Sequence, residues 1–208
     1  MATTKKQLAE QILRILNSGD ISTDNSIDPR ELLLAIEQER DRLVRLRLFE
    51  SMKMGNPTIP GDVVSAFDSI KIKKDTVKGL LYSDLPGRVM SLPEDKGIAH
   101  VSYTKDQYNA FVRMPNGSLS LYNGLLSSMI GGRGGYWLEG DRLYYNDGVD
   151  DCCGNTVIVK MVMNSGDLEP DAPFPIPSDL ESEVIRNVIG LYASMKQIPN
   201  DEQNDNIE

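Results

Sequence analysis

The chain has 208 residues, 40% hydrophobic and 25% charged, which suffices for one hydrophobic core and excludes both a fibrous and a wholly disordered class. A formal charge of −9 argues against a surface that neutralises many phosphates, so a nucleic-acid-binding class is set aside. There is no run of about 18 apolar residues and no signal-peptide core after Met1, so the protein is expected to stay where it is made, without a membrane partner.

Residues Thr4 to Leu16 read as a short helix, with Thr4 as N-cap, Gln7 closing a capping box, and Leu8, Ile12, Ile15 and Leu16 at helical spacing. Asn17-Ser18-Gly19 ends it. A polar linker follows, and then Asp28-Pro29-Arg30-Glu31 gives an N-cap, a proline at the first helical position and an early acid. No breaker occurs before Gly55-Asn56-Pro57, so a single helix of about 38 Å is expected at 1.5 Å per residue. Leu32, Leu33, Ile36, Leu43 and Leu46 or Arg47 fall on one apolar stripe, with Glu37, Glu39, Arg40, Asp41, Arg42, Arg45 and Arg47 crowding the rest and Asp41 spaced to pair with Arg45. Two readings remain open: a solvated amphipathic helix, or a strut against a neighbouring subunit, favoured by the greasier first half.

Beyond Ile59-Pro60-Gly61 the pattern changes to short runs punctuated by turn residues. Strands are expected over Val63–Ile72, Val77–Tyr82, Ile98–Tyr103, Ala110–Met114, Gly135–Leu138, Arg142–Tyr145 and Thr156–Met163. Pro115-Asn116-Gly117 and Asn146-Asp147-Gly148 supply residues that accept the positive φ of tight turns, and 119–130 is either helical or irregular. Prolines 170, 173, 175 and 177 make a stiff extended connector. Ser178 and Glu181 then suggest a second capping box, opening a helix whose wide apolar face carries Val184, Ile185, Val188, Ile189, Leu191, Tyr192 and Met195. The fold class is therefore α+β: an N-terminal helical pair with one long helix, a central mostly antiparallel β barrel or sandwich, and a C-terminal helix. The segments are 1–57 (helical arm), 58–167 (β-rich body), 168–177 (connector), 178–197 (helix) and 198–208, a disordered acidic tail with Asp201, Glu202, Asp205 and Glu208.

Residues able to do chemistry are sparse. The single histidine, His100, sits in a strand-like run without evident partners for acid–base work or zinc binding. Cys152 and Cys153 are adjacent, lack the two-residue gap of a zinc knuckle, and as a disulfide would close almost no loop, which fits a reducing compartment. Gly131-Gly132-Arg133-Gly134-Gly135 resembles a phosphate cradle but lacks the following Lys-Ser/Thr, and reads as a flexible loop or one that orders against a partner. Asp147, Asp150 and Asp151 lack the alternation of a calcium loop. No catalytic residue, cofactor site or metal site is assigned, and the chain is expected not to be an enzyme.

The order helix, long helix, β body, proline connector and final helix is similar to that of the head-to-tail adaptor proteins of short-tailed bacteriophages. The detail is similar to crAss-like phage ring proteins. The residues carrying it are Ile27-Asp28-Pro29-Arg30-Glu31-Leu32, Tyr82-Ser83-Asp84-Leu85-Pro86, Gly135-Tyr136-Trp137 with Asp141-Arg142-Leu143-Tyr144-Tyr145, and Pro173-Phe174-Pro175-Ile176-Pro177 running into Asp179-Leu180-Glu181. The resemblance implies a structural virion protein in the neck or tail region, made in the bacterial host cytoplasm. It would form a ring of twelve copies beneath the portal protein, touch other tail or ring proteins, and surround genomic DNA that passes without sequence-specific binding. Candidate subunit contacts are Leu32, Leu33, Ile36, Arg133, Phe174 and Ile176. The alternative is a ligand- or glycan-binding β domain with a pocket near Trp137, lined by Tyr136, Tyr144 and Tyr145.

Overall fold

The structure, a computed structural model, describes residues 3–17, 27–55, 59–92, 96–115, 134–146, 149 and 156–196. It is an α+β chain that divides into two compact units, one made of 1–57 with 168–208 and the other of 58–167. The β unit is thus an insertion, in sequence, into a helical unit built from both ends of the chain.

In the helical unit, α1 (Lys5–Leu16) starts on the expected capping box, in which the Thr4 hydroxyl accepts from Gln7 N–H at 3.2 Å and the Gln7 side chain accepts from Thr4 N–H at 3.1 Å. Helix α2 (Pro29–Lys53) starts on Asp28, whose carboxylate accepts from Arg30 N–H at 2.9 Å, with proline in the first turn. Helix α3 spans Ser178–Lys196, with Asp179 and Glu181 as acids in its first turn. Its first N–H groups, on Leu180 and Glu181, donate to the Pro177 carbonyl, and the Glu181 carboxylate accepts the Thr3 hydroxyl at 3.2 Å. Helices α2 and α3 run antiparallel, because Arg47 pairs with Asp179 at 2.6 Å while Asn187 donates to Glu39 at 2.7 Å.

Leu32, Ile36, Arg40, Leu43, Val44 and Leu48 form one buried stripe along α2, facing a core that includes Leu8 and Ile12 of α1 and Val184 and Val188 of α3. The connector is laid down as a strap rather than a free spacer. Thr4 bridges Pro173 in antiparallel fashion, Phe174 N–H donates to the Thr3 carbonyl at 2.9 Å, and Lys6 N–H donates to the Pro170 carbonyl at 3.3 Å.

The β unit contains two sheets. One has the order β1 (Ser65–Lys71), β9 (Thr156–Met161), β4 (Ile98–Tyr103), β5 (Asp106–Ala110), all antiparallel. The other has the order β2 (Lys73–Lys74), β3 (Leu81–Asp84), β8 (Arg142–Tyr145), β7 (Gly135–Glu139), β6 (Val112–Arg113), antiparallel except for the β6–β7 pair. Both sheets are open, so the barrel alternative is excluded. Phe111, between β5 and β6, joins them by packing edge-on against Tyr103 of β4 (4.8 Å) and Tyr145 of β8 (5.8 Å).

Two strand expectations need correction. Val77 is 93% exposed and lies in a turn that Asp75 organises by accepting from Val77 and Lys78 N–H groups at 2.8 and 3.1 Å. Strand β5 went unforeseen because Asp-Gln-Tyr-Asn-Ala offers no buried alternation, being a solvated edge with Tyr108 fully exposed. In β1 the register shifts between Phe67 and Ile70, where Ser69 takes a φ of 63°, the backbone signature of a bulge.

Candidate functional site

The sequence-derived contact residues divide sharply by burial. Leu32 and Ile36 are fully buried and Phe174 is 4% exposed, so these three belong to the core of the chain and cannot serve as contacts for a neighbour. The reason is that α1 and α3 together cover the first half of α2, which one short helix would have left open. Leu33 and Ile176 are half-buried. Arg133 lies outside the described residues, as do 131–132, Asp147, Asp150, Asp151, Cys152, Cys153, the segment 119–130 and the tail.

Two cations, read from sequence as surface residues or not singled out at all, are inside. Arg40 sits in the buried stripe with no exposed surface. Its Nε and Nη2 donate to the Pro175 carbonyl at 3.1 and 2.6 Å, its Nη1 to Asp41 at 3.0 Å, and its guanidinium lies 5.8 Å from the Phe174 ring centre. Burial pulls its pKa down and the Asp41 carboxylate opposes that. Lys5, 1% exposed, donates to Glu37 and to the Leu168 carbonyl, both at 2.5 Å. Together they clamp the two ends of the strap to α2. A longer-range signal for Arg40 existed in sequence: it continues the 32, 36, 43 spacing of the apolar stripe.

Apolar surface survives elsewhere on α2. Leu34 is 53% exposed, Leu46 46%, Phe49 45% and Met54 86%, with the Lys53 ammonium 4.5 Å from the Phe49 ring centre. Arg47 meets α3 at Asp179, one residue into that helix, so the turn holding Phe49, Lys53 and Met54 continues past the start of α3. Between α2 and α3 lies a groove of about 450 Å³ with Ala35, Glu39, Arg42, Asn187, Gly190 and Leu191 in its lining. Arg42 pairs with Glu39 at 2.6 Å, which holds the Glu39 carboxyl below its ordinary pKa against a smaller opposing effect of burial; Asn187 adds to the lowering.

The aromatic residues of the pocket alternative are packed. Trp137 is 6% exposed and stacks on Tyr144, its β7–β8 register partner, at 5.8 Å, with Met114, Leu80 and Tyr82 completing the cluster, while Tyr136 and Tyr145, paired with each other in the same register, are also buried. Burial pushes the Tyr136 hydroxyl up to about 12 and the Tyr145 hydroxyl up as well. Half-buried His100 contacts the Ser102 hydroxyl at 3.0 Å, its pKa lowered by burial and by Lys160. A shallow depression of about 340 Å³ beside Leu85–Arg88 holds Asp141 and Asp167, the latter accepting both a side-chain and a backbone donor of Arg88. Among the described residues no group of three or more His, Cys, Asp or Glu is placed to hold a metal ion, and no helix is long and apolar enough to cross a membrane.

Neither a family model nor a curated protein matches the chain.

Proposed function

We propose that this chain is a structural subunit of a phage head–tail connector, assembling as a ring beneath the portal protein around the DNA channel. The observation that carries the reading is the C-terminal end of α2, where the helix runs past the Arg47–Asp179 contact with the start of α3 and leaves Phe49 and, just beyond the helix, Met54 exposed along with Leu46, while Leu43, Val44 and Leu48 stay buried. Isolated apolar residues on a surface are ordinary, but several gathered at the uncovered end of one rigid helix suit a docking role. A strap fixed by buried Arg40 and Lys5 makes that helix a rigid lever, which a ring built from heterologous contacts requires. The acidic balance of the chain suits passage of DNA without adhesion. The ring's copy number of twelve and its place in the virion neck rest on the resemblance alone.

A glycan- or ligand-binding role at Trp137 draws less support, because the indole is occupied by its own neighbours. Native mass spectrometry and negative-stain microscopy of the purified chain, alone and with the portal protein of the same genome, test the proposal. Ring-shaped particles bound to portal are expected; a chain that remains monomeric and leaves portal unbound refutes it.

A further inference from the structure

The stretch from Arg42 to Met54 is the basic part of an acidic chain: Arg42, Arg45, Arg47 and Lys53 stand there against the single carboxylate of Glu50. Two of these cations are matched from outside the stretch, Arg42 by Glu39 and Arg47 by Asp179, both at 2.6 Å. Arg45 is exposed and has no ion pair among the described residues. It lies on the side of α2 turned away from the buried Leu32–Leu48 stripe, where Leu34, Leu46 and Phe49 are each about half exposed. An unmatched cation and open apolar surface therefore occur together.

The chain supplies a segment of the opposite kind. Beyond Lys196, where α3 ends, residues 197–208 carry Asp201, Glu202, Asp205 and Glu208 with no lysine or arginine, and an apolar Ile207 between the last two acids. The helices fix where this segment starts. Asp179 meets Arg47 and Asn187 meets Glu39, the same interval on both antiparallel helices, so Lys196 stands level with Arg30 near the start of α2. Pro199-Asn200 is a turn-forming pair at which the chain can reverse. Residues 201–208 then span about 26 Å when extended, against about 22 Å of helix from Arg30 to Arg45. Asp205 to Glu208 thus come level with Arg45 and Leu46, and Met54 lies about 12 Å further on.

We infer that the acidic segment 201–208 folds back along the α2 helix of its own chain, with Asp205 and Glu208 on the Arg45 guanidinium and Ile207 over Leu46, and shields Leu46 and Phe49 in the unassembled chain. An exposed ion pair is weak by itself, but tethering holds these carboxylates beside α2 at an effective concentration of about millimolar. A weak cover is an exchangeable one: a partner that buries more of α2 than the segment does displaces it. The contact itself stands apart from the ring reading. Only its consequence, a self-made cover over part of the docking surface, rests on that reading.

Hydroxyl-radical footprinting of the full-length chain, dilute enough to be monomeric by native mass spectrometry, reads side-chain access at Leu46 and Phe49, with Met54 and the fully exposed Tyr108 as internal controls. Neutralising the segment with Asp201→Asn, Glu202→Gln, Asp205→Asn and Glu208→Gln together is expected to raise oxidation of Leu46 and Phe49 several-fold and to leave both controls unchanged. High salt should do the same to the wild-type chain. Arg45→Glu should match the neutralised segment, and adding Asp205→Lys and Glu208→Lys to it should restore protection, a rescue that a folding defect would not give. Equal oxidation in wild-type and neutralised chains, or exposure in Arg45→Glu that the reversed charges do not rescue, overturns the contact and leaves the ring proposal standing. Protection that grows with protein concentration assigns the segment to a neighbouring copy and overturns the fold-back. A wild-type chain that stays monomeric with and without portal refutes the ring and leaves this contact standing.

Discussion

Replacing Arg40 with alanine is expected to destabilise the helical unit by about 3–5 kcal/mol, the range for removing one member of a buried charged network. The magnitude follows from what the guanidinium does. Two of its N–H groups satisfy the Pro175 carbonyl and a third meets Asp41, and a partly buried acceptor deprived of its donors costs about 1–3 kcal/mol. Alanine also deletes two methylenes packed beside Phe174, each worth about 0.8 kcal/mol. Methionine at the same position keeps most of the apolar stem, so Arg40→Met should lose less than Arg40→Ala by roughly 2 kcal/mol. At 2–4 °C per kcal/mol for a chain of this size, the alanine variant should melt about 10 °C lower. Urea unfolding followed by far-ultraviolet circular dichroism reads the helical unit directly. A loss below about 1 kcal/mol for alanine, or a larger loss for methionine than for alanine, would refute the strap-clamp role of Arg40.

Leu32→Ala and Ile36→Ala should each cost about 2–5 kcal/mol as core truncations, visible in the unfolding midpoint of the chain before any assembly is measured. Leu33→Glu, at a half-buried position, should impair assembly more than folding if that edge of α2 meets a neighbour; sedimentation beside thermal melting separates the two. Glu39 has a folded pKa below its unfolded value through its bond to Arg42. Its contribution is therefore complete above the ordinary glutamate pKa of about 4.3 and is lost as pH falls through the lower folded value. Glu39→Gln should flatten the acid limb of the stability profile, and an unchanged limb would count against the Arg42 pairing. For Tyr136 the sign is reversed: a neutral hydroxyl pushed up to about 12 stabilises fully below the unfolded pKa of about 10 and progressively less above it. Absorbance at alkaline pH should show this tyrosine ionising late, together with Tyr145, and ionisation at the ordinary value would mean that β7 is open to solvent.

The local elements were legible in the amino-acid sequence because their signals are local. Thr4 with Gln7, and Asp28 with Pro29, fix helix starts through groups within one turn, and short runs rich in β-branched and aromatic residues mark the strands Ile98–Tyr103 and Thr156–Met161. That the Glu181 carboxylate would accept the hydroxyl of Thr3, a residue at the other end of the chain, had no local signal. Distance in sequence also hid the strap: nothing local to Pro173–Pro177 announces pairing with Thr3 and Thr4, or that Arg40 would be buried to hold it. The candidate interface moved for the same reason. A periodic stripe identifies which residues of α2 are apolar together, but whether Leu32 faces a neighbour or its own core depends on how α1 and α3 pack. Once both ends of the chain return to cover the Leu32–Leu48 stripe, the apolar surface left along α2 and at its C-cap is at Leu34, Leu46, Phe49 and Met54. Composition, caps and periodicity determined the elements; which of their faces stayed open was decided only by packing between segments distant in sequence, α1 and α3 against α2.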